Sequence, residues 1–378
     1  MSDPMNQLAA SSASTPLDRA RQKIYEIAGG SIDSGDVRAA RLSTERRIAY
    51  FRSLEFRDWV ASETAAGRQV FWLKDVDKTQ ADGDIFTRFF EWRADNGKFS
   101  KEQRQVIAEF LLKRKHVFAR TFTRVTRAAW AVPGALGLKA NPPRFAELSP
   151  YDVLKLWRSK EAGGEGIGLL DFWSGVYWPS QVGLTREEKL SQVTEFAPHY
   201  ASHVYPGVPE ENRLLEELGV HVVIVSNGDQ ELAIAVAPIL GVKPENVVAS
   251  HLIYGEDGRA TGVNHSYELF VEDWADKPQP GKPFFFHYWV HVHRGRWGWK
   301  RLDDRKIVIA GRDGDSASSD GGMMILMQPA AIGNFMVNTP GEPGRIQKFY
   351  SVAGKYGWTP GQFFTLDQSP SPSGPKPA

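Results

Sequence analysis

Three short apolar runs occur along the chain, and polar residues follow each of them directly. They are QVFWL at 69–73, HVVIVS at 221–226 and KIVIAG at 306–311. Runs of this length that end in polar or Gly-rich sequence indicate buried strands, and β-branched residues dominate the second and third. The hydrophobic pattern therefore predicts three buried strands.

Helical patterns flank the second run. PEENRLLEELG has helical periodicity and a stop at Gly219, and QELAIAVAPILGV follows as a second helix. Strands that alternate with helices favour a parallel sheet, so the sequence predicts a doubly wound α/β fold. In such sheets, ligands bind beyond the carboxyl ends of the strands.

The region after the first run has a different pattern. A long amphipathic helical pattern covers residues 101–130, and another helix is predicted to begin at Pro150 with Ser149 as its N-cap. We therefore predict a mostly helical domain inserted after the first strand. The predicted segments are a flexible N-terminus at 1–20, an α/β core at 21–80 and 205–366, a helical cap at 81–204 and a disordered tail at 367–378.

Composition excludes several classes of function. The 46 basic and 45 acidic side chains nearly cancel, which gives no electrostatic case for a nucleic-acid or membrane partner. The absence of cysteine excludes disulfides, thiolate metal sites and cysteine nucleophiles. The first residues do not resemble a secretory signal, and no apolar stretch is long enough to span a bilayer. We expect a soluble, cytoplasmic protein.

Two carboxylates follow the first run at alternate positions, in the segment DVDKT at 75–79. A carboxylate at a strand end can act as a metal ligand or as a nucleophile, and carboxylates form acyl-phosphates in some phosphoryl-transfer enzymes. Asp75 is the candidate for that role, and Asp77 could protonate a leaving group and later activate water. Taken alone, the segment is equally consistent with an acidic turn.

Polar residues after the other two runs complete a possible site. Ser226 and the N–H groups after it could bind phosphate oxygens, although Ser-Asn-Gly is also a common turn sequence. Asp315 and Asp320 lie in the loop after the third run, and carboxylates beside Asp75 suit Mg²⁺. Lys282 could neutralise a carboxylate and a phosphate. The alternatives are a Gly-rich loop that binds nothing and a solvated surface lysine.

The order of these residues resembles that of the haloacid dehalogenase superfamily of phosphohydrolases. DVDKT looks like its first motif, SNG its second, Lys282 its third and GDSASSD its fourth. The resemblance covers about residues 69–80 and 205–340. Within the superfamily, the sequence is most similar to the phosphoserine phosphatase and phosphorylcholine phosphatase-like branch. The resemblance implies a Rossmann-like core with a helical cap inserted after the first motif.

The resemblance also implies a role for each matching residue. Asp75 is expected to attack phosphorus and form an aspartyl-phosphate, and Asp77 to act first as general acid and then as base. Ser226 and the Asn227 N–H would hold the phosphoryl oxygens, and Lys282 would balance charge. The other implied roles are Mg²⁺ binding by Asp75, the backbone carbonyl of Asp77 and Asp315, with Thr79 and Asp320 in support.

Three positions depart from the superfamily pattern. Lys74 replaces the apolar residue that usually precedes the nucleophile. Asp313 competes with Asp315 as a metal ligand, and we prefer Asp315 because DSASSDGGMM continues the family pattern. Lys282 lies farther upstream of the acidic loop than is usual. Lys300 is therefore considered as an alternative site lysine, but it is less favoured than Lys282.

The sequence thus predicts Mg²⁺-dependent hydrolysis of a small phosphorylated metabolite through an aspartyl-phosphate. The alternatives are a phosphotransferase of the same superfamily and a catalytically weak member that binds a phosphorylated ligand. Trp173, Tyr177 and Trp178 could form a cage for a quaternary ammonium group, or pack in a core. The sequence names neither the substrate nor the oligomeric state.

Overall fold

The structure is a computed structural model with side chains. It describes residues 14–29, 40–111, 150–161, 166–264, 281–290, 306–316, 319–325, 327, 329–338, 344–355 and 363–368. Among the helices in these ranges, none combines the length and apolarity needed to cross a lipid bilayer.

Eight strands in the described ranges form one mostly parallel sheet, in the order β1-β8-β7-β6-β2-β3-β4-β5. In chain order, the strands are β1 Arg41–Ser43, β2 Gln69–Lys74, β3 Val220–Asp229, β4 Val247–Tyr254, β5 Ala260–Asn264, β6 Ile307–Gly314, β7 Gly333–Asn338 and β8 Phe363–Asp367. All neighbours are parallel except β4 and β5. This arrangement confirms the predicted α/β class, and the three strands predicted from sequence correspond to β2, β3 and β6.

Helices connect most of these strands. In chain order, the α-helices with defined bounds are α1 Pro16–Ala28, α2 Thr44–Arg52, α3 Leu54–Ala65, α4 Ile85–Asp95, α5 Pro150–Glu161, α6 Leu169–Phe172, α7 Arg186–Tyr200, α8 Val208–Glu217, α9 Gln230–Val236, α10 Gly281–Tyr288, α11 Gly321–Ile325 and α12 Gly344–Lys355. Residues 101–111 are also helical, and the rest of the pattern at 101–130 lies outside the described residues. Helix α8 ends before Gly219, whose φ of 84° is the left-handed conformation that glycine adopts easily.

The middle strand, β2, is buried on both faces. Phe71 and Leu73 pack in one cluster with Phe286 of α10. Trp72 points to the opposite face, where its ring centroid lies 5.0 Å from that of Phe51 in α2. Burial on both faces explains why this strand is a continuous apolar run and does not alternate with polar residues.

The chain forms two compact units. One comprises Met1–Asp84, Ala197–Ser250 and His265–Ala378, and the other comprises Ile85–Phe196 and His251–Asn264. The second unit thus includes the antiparallel hairpin of β5 and the end of β4, which the sequence analysis assigned to the core. The role of residues 81–204 as a cap stays a prediction.

Buried aromatic side chains form the interior of the second unit. Trp173 stacks on Phe86 with ring centroids 6.0 Å apart, and the Lys189 ammonium lies 4.7 Å from the ring centroid of Phe89. The three aromatic residues considered for binding a quaternary ammonium are all buried, at no more than 4% exposure: Trp173, Tyr177 and Trp178. Their surroundings are those of a packed core.

The prediction of a flexible N-terminus at 1–20 is wrong for residues 16–20, because helix α1 begins at Pro16. Thr15 and Asp18 form a capping box, in which each side chain accepts a hydrogen bond from the other residue's backbone N–H. Ala20 is fully buried. Residues 1–13 lie outside the described part of the chain. The predicted disordered tail at 367–378 is also wrong for its first two residues, because Asp367 ends β8 and Gln368 is buried and hydrogen-bonded. Residues 369–378 lie outside the described part.

Candidate active site

The three strands that carry the candidate residues lie side by side, with β2 between β6 and β3. The last aligned pairs join Lys74 of β2 to Ile224 of β3 and to Asp313 of β6. Asp75 is the next residue after β2, and Asp315 lies two residues past the aligned pair on β6. Because these strands are parallel, their carboxyl ends deliver polar residues to one edge of the sheet.

Lys282 joins two of the candidate carboxylates. It is the second residue of α10 and only 2% exposed. Its Nζ lies 2.5 Å from Asp75 Oδ1 and also contacts Asp320 Oδ1. Charge-assisted bonds of this kind are the strong ones, particularly away from water. The structure therefore brings together three residues that are far apart in the sequence.

Asp320 also holds the acidic loop in place. Its Oδ2 accepts hydrogen bonds from the backbone N–H groups of Asp315, at 2.8 Å, and Ser316, at 2.9 Å. Its Oδ1 contacts Lys282. Both oxygens of Asp320 are thus engaged by the protein, which suits a supporting role better than direct metal binding.

The donor set at this edge fits a divalent cation. Asp75, Asp315 and Asp320 each offer an oxygen within 4.8 Å of the others, and all three side chains are buried. Three carboxylates and the one ammonium of Lys282 leave a formal charge of two minus, which a divalent cation would balance. Mg²⁺ is the hard cation that prefers such oxygens. With Asp320 engaged by the protein, Asp75 and Asp315 are the side chains we would assign to it.

Burial and neighbouring charges shift the pKa values of this cluster. Burial raises the pKa of Asp75 to about 7, against the lowering effect of Lys282 and with a further raising effect from Asp320. Burial acts in the same direction on Asp320, but Lys282 and the backbone N–H groups outweigh it and lower the pKa. Burial lowers the pKa of Lys282, but Asp320 and Asp75 outweigh it, so the pKa is raised and the ammonium stays charged.

The raised pKa of Asp75 predicts a pH-dependent effect on the stability of the metal-free protein. An Asp with an unfolded pKa of about 3.9 and a higher folded pKa destabilises the fold increasingly as the pH rises between those values. Above the folded pKa of about 7, the destabilisation is complete. Asp75→Asn should therefore raise the melting temperature by a few degrees at pH 8 and hardly at all near pH 4.

Thermal unfolding in a chelator at several pH values measures this difference. Asp58→Asn, at an exposed position of α3, is the matched control and should show no such trend. A melting-temperature difference for Asp75→Asn that stays constant from pH 4 to pH 8 would contradict the burial of an ionisable Asp75.

Gly314, at the end of β6, leaves room for Asp320. A Cβ at this glycine would lie 2.5 Å from the Cβ of Asp320, which is closer than real side chains approach. We expect Gly314→Ala to displace the Asp320 carboxylate and lower turnover about 10- to 100-fold, because small misplacements near reacting groups have effects of that order. Steady-state kinetics compare it with Gly344→Ala, where a Cβ has nothing within 4 Å. Equal activities of the two variants would show that turnover does not depend on the position of the Asp320 carboxylate.

The rest of the first motif forms a tight loop. Asp77 is half-buried, and the next residue, Lys78, is the non-glycine residue with positive φ, at 57°, in the described ranges. Thr79 is 1% exposed, and its carbonyl accepts a hydrogen bond from Gln368 Nε2 at 3.1 Å. Asp77 does not belong to the carboxylate cluster among the described residues, and its predicted roles in proton transfer and metal binding stay predictions.

Ser226 and Asn227 continue β3 past its last aligned pair with β2. Ser226 is 1% exposed, and its Oγ accepts a hydrogen bond from the Gly228 N–H at 2.9 Å. The Asn227 carbonyl accepts one from Ser250 Oγ at 3.0 Å. These bonds fix the second motif at the same edge of the sheet, and its predicted contacts with phosphate stay predictions.

The competing candidates differ in what surrounds them. Asp313 accepts a hydrogen bond from Trp72 Nε1 at 2.8 Å and contacts Arg47 at 2.9 Å and Lys74 at 3.3 Å. Its carboxylate is therefore engaged in an ion-pair network, whereas Asp315 lies in the carboxylate cluster. This difference supports Asp315 as the ligand candidate. Lys300 lies outside the described residues.

Sequence reasoning missed four buried polar residues around the first motif. They are Arg47, Gln80, Glu211 and Asn212, each at most 1% exposed. One signal was available. In helix α8, Glu211 and Asn212 lie three and four residues after Val208, on the buried face that also carries Leu215. A charged residue at a core position of a helix indicates a buried partner.

Part of the chain is similar in sequence to a known enzyme. The chain is 30% identical over 77 residues to the chloroplastic phosphoserine phosphatase of Arabidopsis thaliana, a match that covers 20% of the chain and 26% of that relative. It therefore spans about a quarter of the relative's length. No protein-family model matches the chain.

Solved structures resemble the chain at low sequence identity. A conserved protein of unknown function from Anaerococcus prevotii has 11% identity and a TM-score of 0.44 over 81% of this chain and 89% of its own. A phosphoserine phosphohydrolase-like protein from Francisella tularensis has 13% identity and a TM-score of 0.34 over 74% and 92%, respectively.

The sheet and the carboxylate cluster define a class of protein. It is an α/β protein with a candidate nucleophile after the middle strand and with a lysine and an acidic loop held beside it. The order and placement of its motifs resemble those of the haloacid dehalogenase superfamily. The 77-residue sequence match to phosphoserine phosphatase is consistent with that resemblance.

Proposed function

We propose that this protein hydrolyses phosphomonoesters of small molecules by transferring the phosphoryl group first to Asp75 and then to water. The observation that carries the proposal is the lysine bridge. Lys282 holds the carboxylates of Asp75 and Asp320 together, and Asp315 lies within the same buried cluster. The match to phosphoserine phosphatase supports a phosphomonoester as the substrate class.

In the first step, a carboxylate oxygen of Asp75 attacks phosphorus, and the bond from phosphorus to the ester oxygen breaks. Asp77, as the acid, gives its proton to the departing oxygen. In the second step, water attacks the phosphorus of the aspartyl-phosphate, Asp77 takes the proton from that water, and Asp75 leaves as a carboxylate. Lys282 stabilises negative charge on the transferring group throughout.

The cation site has a defined part in this proposal. Asp75, Asp315 and the backbone carbonyl of Asp77 are the groups we assign to Mg²⁺, and the ion would supply positive charge next to the phosphoryl oxygens. The chain's own contribution is to hold these oxygens close together in a buried position, where Asp320 fixes the loop of Asp315. Ser226 and the Asn227 N–H would hold the remaining phosphoryl oxygens.

Phosphate release from p-nitrophenyl phosphate, measured with and without Mg²⁺, tests the proposal. We expect turnover that requires the cation and is lost in a chelator. A panel of phosphorylated metabolites then ranks substrates by kcat/KM, and product analysis separates hydrolysis from transfer to an acceptor. Tight Mg²⁺-dependent binding of a phosphorylated ligand without release of phosphate would contradict the proposal.

A further inference from the structure

Four charged side chains form a buried network that includes the residue directly before the candidate nucleophile, Asp75. They are Arg47 of α2, Lys74 of β2, Glu211 of α8 and Asp313 of β6, and each side chain is at most 2% exposed. Each of the two cations contacts both anions. Arg47 Nε lies 2.6 Å from Glu211 Oε2, and the Lys74 ammonium contacts the same carboxylate.

Stability alone is a weak reason for such a network. Removing an ion from water costs several kcal/mol even after the protein relaxes, and well-packed apolar side chains of similar volume are often at least as stabilising. The structure therefore needs another account of why four charges are buried here.

The position of the network suggests that account. Lys74 immediately precedes Asp75, and the backbone N–H of Asp75 donates to the Asp313 carbonyl at 3.1 Å. Asp313 itself lies two residues before Asp315. The network thus includes Lys74, the neighbour of the proposed nucleophile. It also includes Asp313 of β6, the strand that leads to the proposed metal ligand Asp315.

Helix α8 also contacts the loop that follows Asp75, through a second pair of hydrogen bonds. Asn212, next to Glu211, donates through Nδ2 to Gln80 Oε1 at 2.8 Å. Gln80 Nε2 in turn donates to the Asp75 carbonyl at 2.8 Å. Two adjacent residues of one helix therefore fix the chain immediately before Asp75 and the carbonyl of Asp75 itself.

We propose that Arg47, Lys74, Glu211 and Asp313 are positioning residues, which hold Asp75 at a fixed place relative to Asp315 for phosphoryl transfer. The inference rests on the proposed function and explains the lysine before the nucleophile. A group that sets the position of a nucleophile affects kcat far more than substrate binding, since a misplacement of about 1 Å can lower the rate about 100-fold.

The test separates positioning from stability. Lys74→Met leaves two buried carboxylates to one arginine, and it should lower both the melting temperature and kcat. Lys74→Met with Glu211→Gln removes one charge of each sign and leaves the pair of Arg47 and Asp313. We expect the double variant to recover most of the melting temperature, with kcat still about 10- to 100-fold below wild type and a nearly unchanged KM.

Two controls make the result decisive. Val352→Ala, in the buried side of α12, should lower the melting temperature without changing kcat. Deuterium uptake by the peptide that covers residues 69–80 reports the hydrogen bond of the Asp75 N–H and needs no activity. Uptake should rise in the double variant, while the peptide that covers residues 344–355 stays as in wild type.

Each outcome decides the inference. A double variant in which kcat recovers together with the melting temperature would show that the network serves stability only, and the inference would be overturned. Unchanged uptake at residues 69–80 would overturn it as well. If wild-type protein releases no phosphate, the proposed function fails, and the uptake measurement still shows whether the network holds the strand end.

Discussion

Asp75→Asn is expected to abolish phosphate release, with kcat lower by at least about 1000-fold, the order of loss seen when a nucleophile is removed. Asparagine has nearly the same shape but does not form an acyl-phosphate. The fold should persist, because burial already favours the uncharged form of this side chain. The measurement is phosphate release from p-nitrophenyl phosphate with Mg²⁺ at saturating substrate.

The matched control for this variant is Asp58→Asn on α3, which removes an exposed carboxylate from the same unit. Its kcat should equal that of wild type. Equal phosphate release by wild type and Asp75→Asn would show that Asp75 is not the nucleophile, whatever the metal requirement.

Lys282→Met should have the second largest effect. It removes the ammonium that joins Asp75 to Asp320 and leaves three buried carboxylates close together. We expect kcat to fall about 100- to 1000-fold, as when a preorganised charge is lost from a transition state. The free energy of unfolding in a chelator should fall by about 3–5 kcal/mol, the range for breaking a buried ion pair.

Mg²⁺ should restore part of the stability of this variant, because a ligand that binds only the folded state stabilises it. Lys306→Met, at an exposed position just before β6, is the control and should match wild type in both measurements. A Lys282→Met variant with wild-type kcat would refute the assignment and make Lys300 the next lysine to test.

Much of the core and of the candidate site could be predicted from sequence, for a physical reason. A parallel strand covered on both faces must be apolar throughout, so β2, β3 and β6 appeared as uninterrupted runs. Their carboxyl ends meet at one edge of the sheet. Asp75 and Asp315 were therefore expected to lie close together. In the structure, one carboxylate oxygen from each of them and one from Asp320 lie within 4.8 Å of one another.

Other features depend on contacts that no local pattern contains. The four-residue network joins Arg47, Lys74, Glu211 and Asp313 from separate elements. A single charged residue in an apolar context does not reveal its partner, so Lys74 remained unexplained in the sequence. The residues at 251–264 look like an ordinary strand and turn, and only their tertiary contacts assign them to the second unit.

The most direct test of the central claim is to trap the phosphoryl group on Asp75. Asp77→Asn lacks the proposed activator of water, and p-nitrophenolate leaves without needing a proton. After rapid mixing with p-nitrophenyl phosphate and Mg²⁺ and an acid quench, mass spectrometry of this variant should find one phosphoryl group on the peptide that contains Asp75. Release of p-nitrophenol with that peptide unmodified, or with the phosphoryl group on another residue, would contradict the account.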